Sequence, residues 1–344
     1  MKEKILIIVA VVMVVLVPLA TWGIVELSTF KGKETMSLWS YLDKDDIDKT
    51  VKVEKGEGDY KILNLTDVQF SDGLDVFGKD KNVYQTIDKL VEQTQPDLIT
   101  ITGDIVWTKF YRHSVKTFIN YMESLNIKWA PVLGNHDGEG NGDRLWLAEQ
   151  FSKAKNCLFV NGPSNLSGVG NYIINIMENG KIAHSLYMMD SHSSGKWLGY
   201  DYIKMDQMAW YMWGVNGANE YNGDKIVNNS LFFHIALPEF ADAYKYWEES
   251  GFDSAIGFGS KNEDVCASKH NSGFFDIIKS TNSTQNIIVG HDHVNDFSVN
   301  YEGIQMTYGV KTGDRCYNDK KINGGTLISV NSEKTVTTHI YITD

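Results

Sequence analysis

From about residue 60 the chain alternates short apolar runs with longer stretches whose apolar residues recur every three or four positions. Lys61-Ile62-Leu63-Asn64-Leu65-Thr66 reads as a strand that ends at Asp67. Val83, Ile87, Leu90 and Val91 then share one helical face, and Pro96-Asp97 stops that helix. Leu98-Ile99-Thr100-Ile101-Thr102 is a second β-rich run, ending at Gly103-Asp104. Val115, Phe118, Ile119, Met122 and Leu125 mark a second helix, and Trp129-Ala130-Pro131-Val132-Leu133 a third strand that stops at Gly134-Asn135-His136-Asp137. The order β-α-β-α-β demands parallel strands joined by crossovers. Ligands of such sheets gather beyond the carboxyl ends of the strands, so Asp67, Asp104 and Asn135 are expected to converge. On its own the Gly-Asn-His-Asp stretch reads equally well as a polar turn.

Further along, residues 172–176 and 186–189 read as strands, 216–229 as a polar loop rich in Gly and Asn, and 286–289, 304–308, 326–330 and 335–342 as strands again. Leu231-Phe232-Phe233-His234 ends in an imidazole, and Val289-Gly290-His291-Asp292-His293 ends in two. A lone histidine after a strand is usually structural, but two separated by one residue on an extended segment point to a metal. The combined set is Asp67, Gln69, Asp104, Asn135, His234, His291 and His293. Mixed carboxylate, amide and imidazole ligands suit Mn, Zn, Fe or Mg. His113, His184, His270 and His339 read as surface or structural; His192, after a strand, is the one of the remainder placed to reach a cleft. Trp197, Tyr200, Tyr202, Trp210, Tyr211 and Trp213 read as core and helix packing, with stacking on an aromatic or nucleoside leaving group as the alternative.

Composition narrows the class. With 344 residues, 42% hydrophobic and 22% charged, the chain is globular and long enough for a large core. A net charge of −12 argues against a nucleic-acid surface. Three cysteines without a C-x-x-C spacing exclude a structural zinc site of that type and leave one disulfide open. Lys2 and Lys4 precede an uncharged apolar run from Ile5 to Ile24, enough to span a bilayer, which takes about 20 residues. It reads as an uncleaved signal-anchor, with a cleaved signal peptide as the alternative. The expected organisation is a signal-anchor or signal peptide at 1–25, a tether at 26–58 with one edge strand at its end, and a single catalytic domain at 59–344. That domain would lie outside the cell or in a lumen. Of the Asn-x-Ser/Thr sequons, Asn64 lies too close to the core to be modified.

Asp67-x-Gln69, Gly103-Asp104, Gly134-Asn135-His136-Asp137, His234 and Gly290-His291-Asp292-His293, in that order, resemble the calcineurin-like metallophosphoesterase superfamily. His234-Ile235-Ala236-Leu237-Pro238-Glu239, Asn271-Ser272-Gly273 and Gly290-His291-Asp292-His293-Val294-Asn295-Asp296 resemble its purple-acid-phosphatase-related branch. The resemblance implies an α/β fold, a four-layer α-β-β-α sandwich of two mixed β-sheets with helices on the outer faces. It also implies two divalent metal ions: Asp67, Gln69 and His293 on one, Asn135, His234 and His291 on the other, and Asp104 bridging. A metal-bridging hydroxide would hydrolyse a phosphate ester of a small molecule or a phosphoprotein. His136 would serve the leaving oxygen and, with Asn135 and Asn271, touch substrate, while Asp137 closes the turn. Phosphomonoesterase activity is expected. The alternatives are a phosphodiesterase or nucleotide-diphosphate pyrophosphatase and, in another class, a metal- or phosphate-binding surface protein with an impaired site. Two departures stand out. The family's Asp-x-His is here Asp67-Val68-Gln69, and the tyrosine that purple acid phosphatases carry three residues after the bridging aspartate is Trp107.

Overall fold

The computed structural model describes residues 50–71, 79–108, 111–139, 143–195, 199–331 and 334–342. Five strands, β2 (Tyr60–Leu65), β3 (Leu98–Thr102), β4 (Lys128–Val132), β14 (Gly324–Val330) and β15 (Thr335–Tyr341), form one sheet in the order β15-β14-β2-β3-β4. Its β2-β3-β4 half is parallel and its β15-β14-β2 half antiparallel. The parallel half is the predicted β-α-β-α-β unit. Its crossovers are α1 (Lys79–Thr94) and α2 (Tyr111–Ser124). Val83, Ile87 and Leu90 of α1, and Val115, Phe118 and Met122 of α2, are buried, which is why the apolar spacing of three and four produces these helices.

A second, eight-stranded sheet has the order β1-β5-β6-β9-β11-β13-β12-β10. Its members are β1 (Val51–Glu54), β5 (Tyr172–Glu178), β6 (Lys181–Met188), β9 (Asn229–Phe232), β10 (Gly257–Phe258), β11 (Thr284–Val289), β12 (Ser298–Tyr301) and β13 (Ile304–Tyr308). Here β9, β11 and β13 run parallel, whereas β5-β6 and β13-β12-β10 are antiparallel. Both sheets are therefore mixed, and β3 and β9 are buried along their whole length, as strands covered on both faces must be. Helix α1 packs on β2 and β14, while α4 (Met205–Tyr221), α5 (Glu239–Glu249) and α6 (Phe274–Thr281) pack on the larger sheet; α3 (Arg144–Lys153) lies against α2. The result is the expected four-layer α-β-β-α sandwich. A small ribbon, β7 (Ser194–Gly195) with β8 (Gly199–Tyr200), stands apart from both sheets.

Two expectations change, and an expected edge strand finds its partner. The polar stretch 216–229 is not a loop from its start, because α4 runs on to Tyr221. Val215 and Ala218 are buried on that last part of the helix, and the Asn219 side chain accepts a hydrogen bond from the Val227 amide while the Asn222 side chain pairs with Ile182. Those asparagines close packing contacts rather than solvate a loop. Second, the edge strand expected at the end of the tether is β1, which pairs in parallel with β5 at the margin of the larger sheet. Third, Cys157, Cys266 and Cys316 are all free thiols. The sequon at Asn64 is fully buried on β2. Among the described residues no helix is long and apolar enough to cross a membrane, and the apolar run 5–24 lies outside those residues.

Candidate metal centre

The carboxyl ends of β2, β3 and β4 in one sheet, and of β9 and β11 in the other, open onto one shared site. Just beyond them stand Asp67, Asp104, Asn135, His234 and the pair His291 and His293. Small residues let these strand tips touch. A Cβ on Gly134 would lie 2.2 Å from the Asp104 backbone nitrogen and from its Oδ1, and one on Gly290 would lie 1.9 Å from Thr66 Oγ1. The glycines before Asn135 and His291 are thus required by close approach, not only by turn conformation.

Four of the site residues adopt left-handed backbone: Asp67 (φ 48°), Gln69 (φ 48°), Asp104 (φ 50°) and His291 (φ 78°). Such conformations persist where the surroundings over-determine them. Here the Asp67 amide donates to Gly103 O at 3.2 Å and the Gln69 amide to Asp104 O at 2.9 Å. Asp67 Oδ2 accepts from Thr66 Oγ1 at 2.8 Å and from the His291 amide at 3.0 Å, and Asp104 Oδ1 accepts from the His136 amide at 2.9 Å. The loops are therefore cross-braced by the carboxylates that line the site.

What remains unsatisfied shows where a cation fits. Asp67 Oδ1, Asp104 Oδ2 and His291 Nε2 are buried without a hydrogen-bond partner. Buried polar atoms are almost always paired, so three orphans at one focus fit a metal. Ligand atoms of Asp67, Asp104 and His293 lie within 4.8 Å of one another. His234 Nε2 stands 2.9 Å from Asn135 Oδ1 and 3.5 Å from Asp104 Oδ1. His234 Nδ1 is 2.8 Å from Thr102 O, and His293 Nδ1 is 3.0 Å from Tyr317 O. A carbonyl can only accept, so each Nδ1 carries its proton and each Nε2 is turned toward the cluster, the orientation metal-binding histidines need.

The electrostatics agree. Burial pushes the Asp67 carboxyl up, but the neighbouring His293, with His234 and Lys311, outweighs it and holds the group far below the usual range. Asp104 behaves alike, with His234 overcoming burial. Burial lowers His234, yet the Asp104 and Asp67 charges dominate and raise it to about 9. Burial, then the like charge of His234, brings His291 down to about 3. Asp137 is pushed up to about 6 by burial and by Asp104.

All seven expected ligands thus meet at one place, with one difference in how they face it. Lys311 Nζ donates to Gln69 Oε1 at 2.8 Å, while Gln69 Nε2 stands 3.1 Å from His293 Nε2. His136 lies at the rim, half-buried, with Nδ1 3.0 Å from Glu139 Oε1. Asp137 does not touch it: Oδ2 accepts from the Gly134 amide at 2.8 Å and Oδ1 from the Ile105 amide at 3.0 Å, so the carboxylate closes the turn. Beside His136 is an open cavity of about 370 Å³ lined by Asn135, Glu139, Arg144, Ser193, Ser194 and Tyr200. Arg144 helps shape it by donating to Gly134 O at 2.7 Å and pairing with Asp190. Asn271 is not brought to the site: its Nδ2 donates to Glu239 Oε1 at 2.6 Å and its Oδ1 accepts from the Gly273 amide at 2.8 Å. His192 is likewise held elsewhere, its Nε2 2.9 Å from Gln207 Oε1.

Three residues escaped sequence reasoning, and a fourth, Tyr200, was expected either in the core or stacked on a leaving group. The Tyr200 ring packs edge-on against His291 with centroids 4.3 Å apart, and Tyr317 stacks on His293 at 4.2 Å. Glu139 partners His136, and Lys311 reaches the site from the segment after β13. A lysine between Val310 and Thr312, directly after an apolar strand, was the readable signal for the last. Trp210, Tyr211 and Trp213 are buried in the core as expected, whereas Trp197 lies outside the described residues.

Residues 60–295 match the family model for calcineurin-like phosphoesterases. The chain belongs to that family. It is similar to a probable inactive purple acid phosphatase 29 of Arabidopsis thaliana, 30% identical over 296 residues that cover 76% of this chain and 73% of that one. It is also 30% identical to Phosphatase DCR2 of Saccharomyces cerevisiae over 270 residues, 71% of this chain and 46% of that protein. In fold, it is similar to a dimetal phosphatase from Danio rerio, with a TM-score of 0.52 and 11% identity over 81% of this chain and 95% of that one. Its relatives are purple-acid-phosphatase-related, and three of them, all of Arabidopsis thaliana, are named probable inactive purple acid phosphatases.

Proposed function

We propose that this calcineurin-like phosphoesterase hydrolyses phosphate monoesters with the help of two divalent metal ions. The observation that carries the reading is the convergence of Asp67 Oδ1, Asp104 Oδ2 and His291 Nε2, all buried and unpaired, beside a half-buried histidine at the rim. Asp67, Asp104 and His293 would hold one ion, with Gln69 next to it. Asp104, Asn135, His234 and His291 would hold the other. Bound ions of this kind acidify water and neutralise charge on phosphoryl oxygens. The chain's own part is orientation. Thr102 O and Tyr317 O fix the tautomers of His234 and His293, and the His136 amide fixes the Asp104 carboxylate. Glu139 engages His136 Nδ1, which leaves Nε2 to protonate or hold the leaving oxygen. The adjoining cavity would take the organic part of the ester. A net charge of −12 suits a small phosphorylated substrate better than a polyanion. Export, with the apolar run 5–24 as membrane anchor or as a cleaved signal, belongs to the same proposal.

A second reading, a metal- or phosphate-binding protein with an impaired site, is favoured by the hydrogen bond between Gln69 Oε1 and Lys311. The two readings part in one experiment. Residues 28 to 344 are stripped of metal, reloaded with Mn, Zn, Mg or Fe, and assayed on p-nitrophenyl phosphate, its bis ester and ADP-ribose. Hydrolysis of the monoester above the other two supports the proposal. Preference for the bis ester or ADP-ribose makes the protein a diesterase or pyrophosphatase. No turnover while metal binds supports the second reading.

A further inference from the structure

The place of Lys311 is built by backbone. Its residue bridges Thr66 in parallel, the Thr312 amide donates to Thr66 O at 2.9 Å, and the Gly324 amide donates to Lys311 O at 2.9 Å. The side chain is buried to 1% exposure and its ammonium donates to Asp67 O at 3.0 Å and to Gln69 Oε1 at 2.8 Å. An ammonium has no acceptor, so the Gln69 atom that faces it is the carbonyl oxygen, and the amide nitrogen is the atom 3.1 Å from His293 Nε2. His293 Nδ1 already carries its proton toward Tyr317 O. His293 Nε2 is therefore the acceptor of a Gln69 N–H, and its lone pair is taken.

We infer that Lys311 is a positioning residue that latches Gln69 with its oxygen turned away from the first metal position and its amide nitrogen on His293. The inference rests on the two-ion reading above and goes beyond it. Gln69 is not a ligand there but a competitor for one, and the position has three protein ligands, Asp67, Asp104 and His293. An ion entering it must displace the Gln69 amide from His293 and settle near a fixed positive charge. The other position, with Asp104, Asn135, His234 and His291, has neither handicap. The two positions consequently fill at different metal concentrations, and Lys311 sets the gap.

The test is calorimetric titration of metal-free protein with Mn(II), and separately Zn(II), read as equivalents and affinities without any turnover assay. Wild type is expected to bind one equivalent tightly and the second at least about tenfold more weakly, the scale on which neighbours of metal ligands act. Lys311→Met should tighten the second equivalent by about tenfold or more. Gln69→Met should tighten that equivalent, because a competitor is removed and no ligand is lost. Two equally tight equivalents in wild type, or a weaker or unchanged second equivalent in Lys311→Met or in Gln69→Met, would overturn the inference. If Lys311→Met does not fold, Gln69→Met decides by itself. Absence of turnover alongside the expected titrations would defeat the hydrolase reading and leave the latch standing.

Discussion

Replacing Asp137 tests whether the turn beside His136 is held by hydrogen bonding. The carboxylate is 2% exposed and accepts from the backbone amides of Gly134 and Ile105, with the Tyr111 hydroxyl 3.3 Å from Oδ1. It thereby ties the loop after β3, which carries Asp104, to the loop after β4, which carries Asn135 and His136. Asp137→Ala leaves both backbone donors buried and unpaired; at ~1–3 kcal/mol each, the loss should be about 2–6 kcal/mol. Asp137→Asn keeps one oxygen and turns an NH2 toward the other donor, so about 1–3 kcal/mol should be lost. Tyr111→Phe, which also removes an acceptor of the Gly138 amide, should cost about 1 kcal/mol. Urea denaturation of metal-free protein is the appropriate assay, because bound metal would add its own linkage to the stability. An alanine variant within 1 kcal/mol of wild type would show that the clamp holds nothing. Equal losses in the alanine and asparagine variants would refute the reasoning differently, since the effect would then lie in the charge and not in the number of acceptors.

Further expectations concern the rim, the bridge and the sheet interior. His136→Ala should lower turnover of p-nitrophenyl phosphate by ~10²-fold or more, the scale of a general acid, with metal content by mass spectrometry unchanged; loss of metal would reassign the residue. Asp104→Asn keeps an acceptor for the His136 amide but puts an NH2 where Oδ2 faces the cluster, so both metals should be lost together, and retention of either one would refute its bridging place. His184, buried on β6 with its Nε2 2.9 Å from Ser230 Oγ, is held neutral because burial brings it down to about 3. The unfolded chain therefore takes up the extra proton as pH falls below about 6.5, and stability drops: at pH 5 the cost is about 2 kcal/mol relative to pH 8. His184→Asn should remove that share of the pH dependence of urea midpoints between pH 8 and pH 5, and an unchanged slope would show that His184 does not carry it.

Much of the fold and the outline of the site were legible because both depend on strand ends. Runs such as Leu98–Thr102 are β-rich and buried on both faces and terminate in a glycine and a candidate ligand, a pattern that registers strand, direction and candidate chemistry together. The helices of the first half were legible from the spacing of Val83, Ile87 and Leu90, or of Val115, Phe118 and Met122. The same argument failed at α4, whose final turns carry Asn216, Gly217 and Asn219. There the buried Val215 and Ala218, not helix propensity, extend the helix, an instance of packing overriding local preference. The short strands β10 and β12 and the helices α5 and α6 were missed for a related reason: each is completed by contacts with elements distant in sequence, such as α5 on β12 and α6 on α4.

Within the cluster, the identity of the converging residues was readable and their orientation was not. An asparagine, a histidine or a glutamine at a strand tip declares which atoms it can offer, but which atom it turns inward is set by its neighbours. Thr102 O and Tyr317 O decide the matter for His234 and His293, and both are backbone carbonyls that no side-chain motif encodes. For Gln69 the neighbour is Lys311, 242 residues away along the chain. A glutamine in place of a histidine suggests a weaker ligand when only the sequence is considered. The buried ammonium makes it a different structural unit, an amide hydrogen-bonded at both ends, between a cation and an imidazole. The two halves of the centre are therefore unequal by construction. One has Asn135, His234 and His291 converging on Asp104. In the other, Asp67, Asp104 and His293 stand ready around an imidazole nitrogen already engaged by the Gln69 amide.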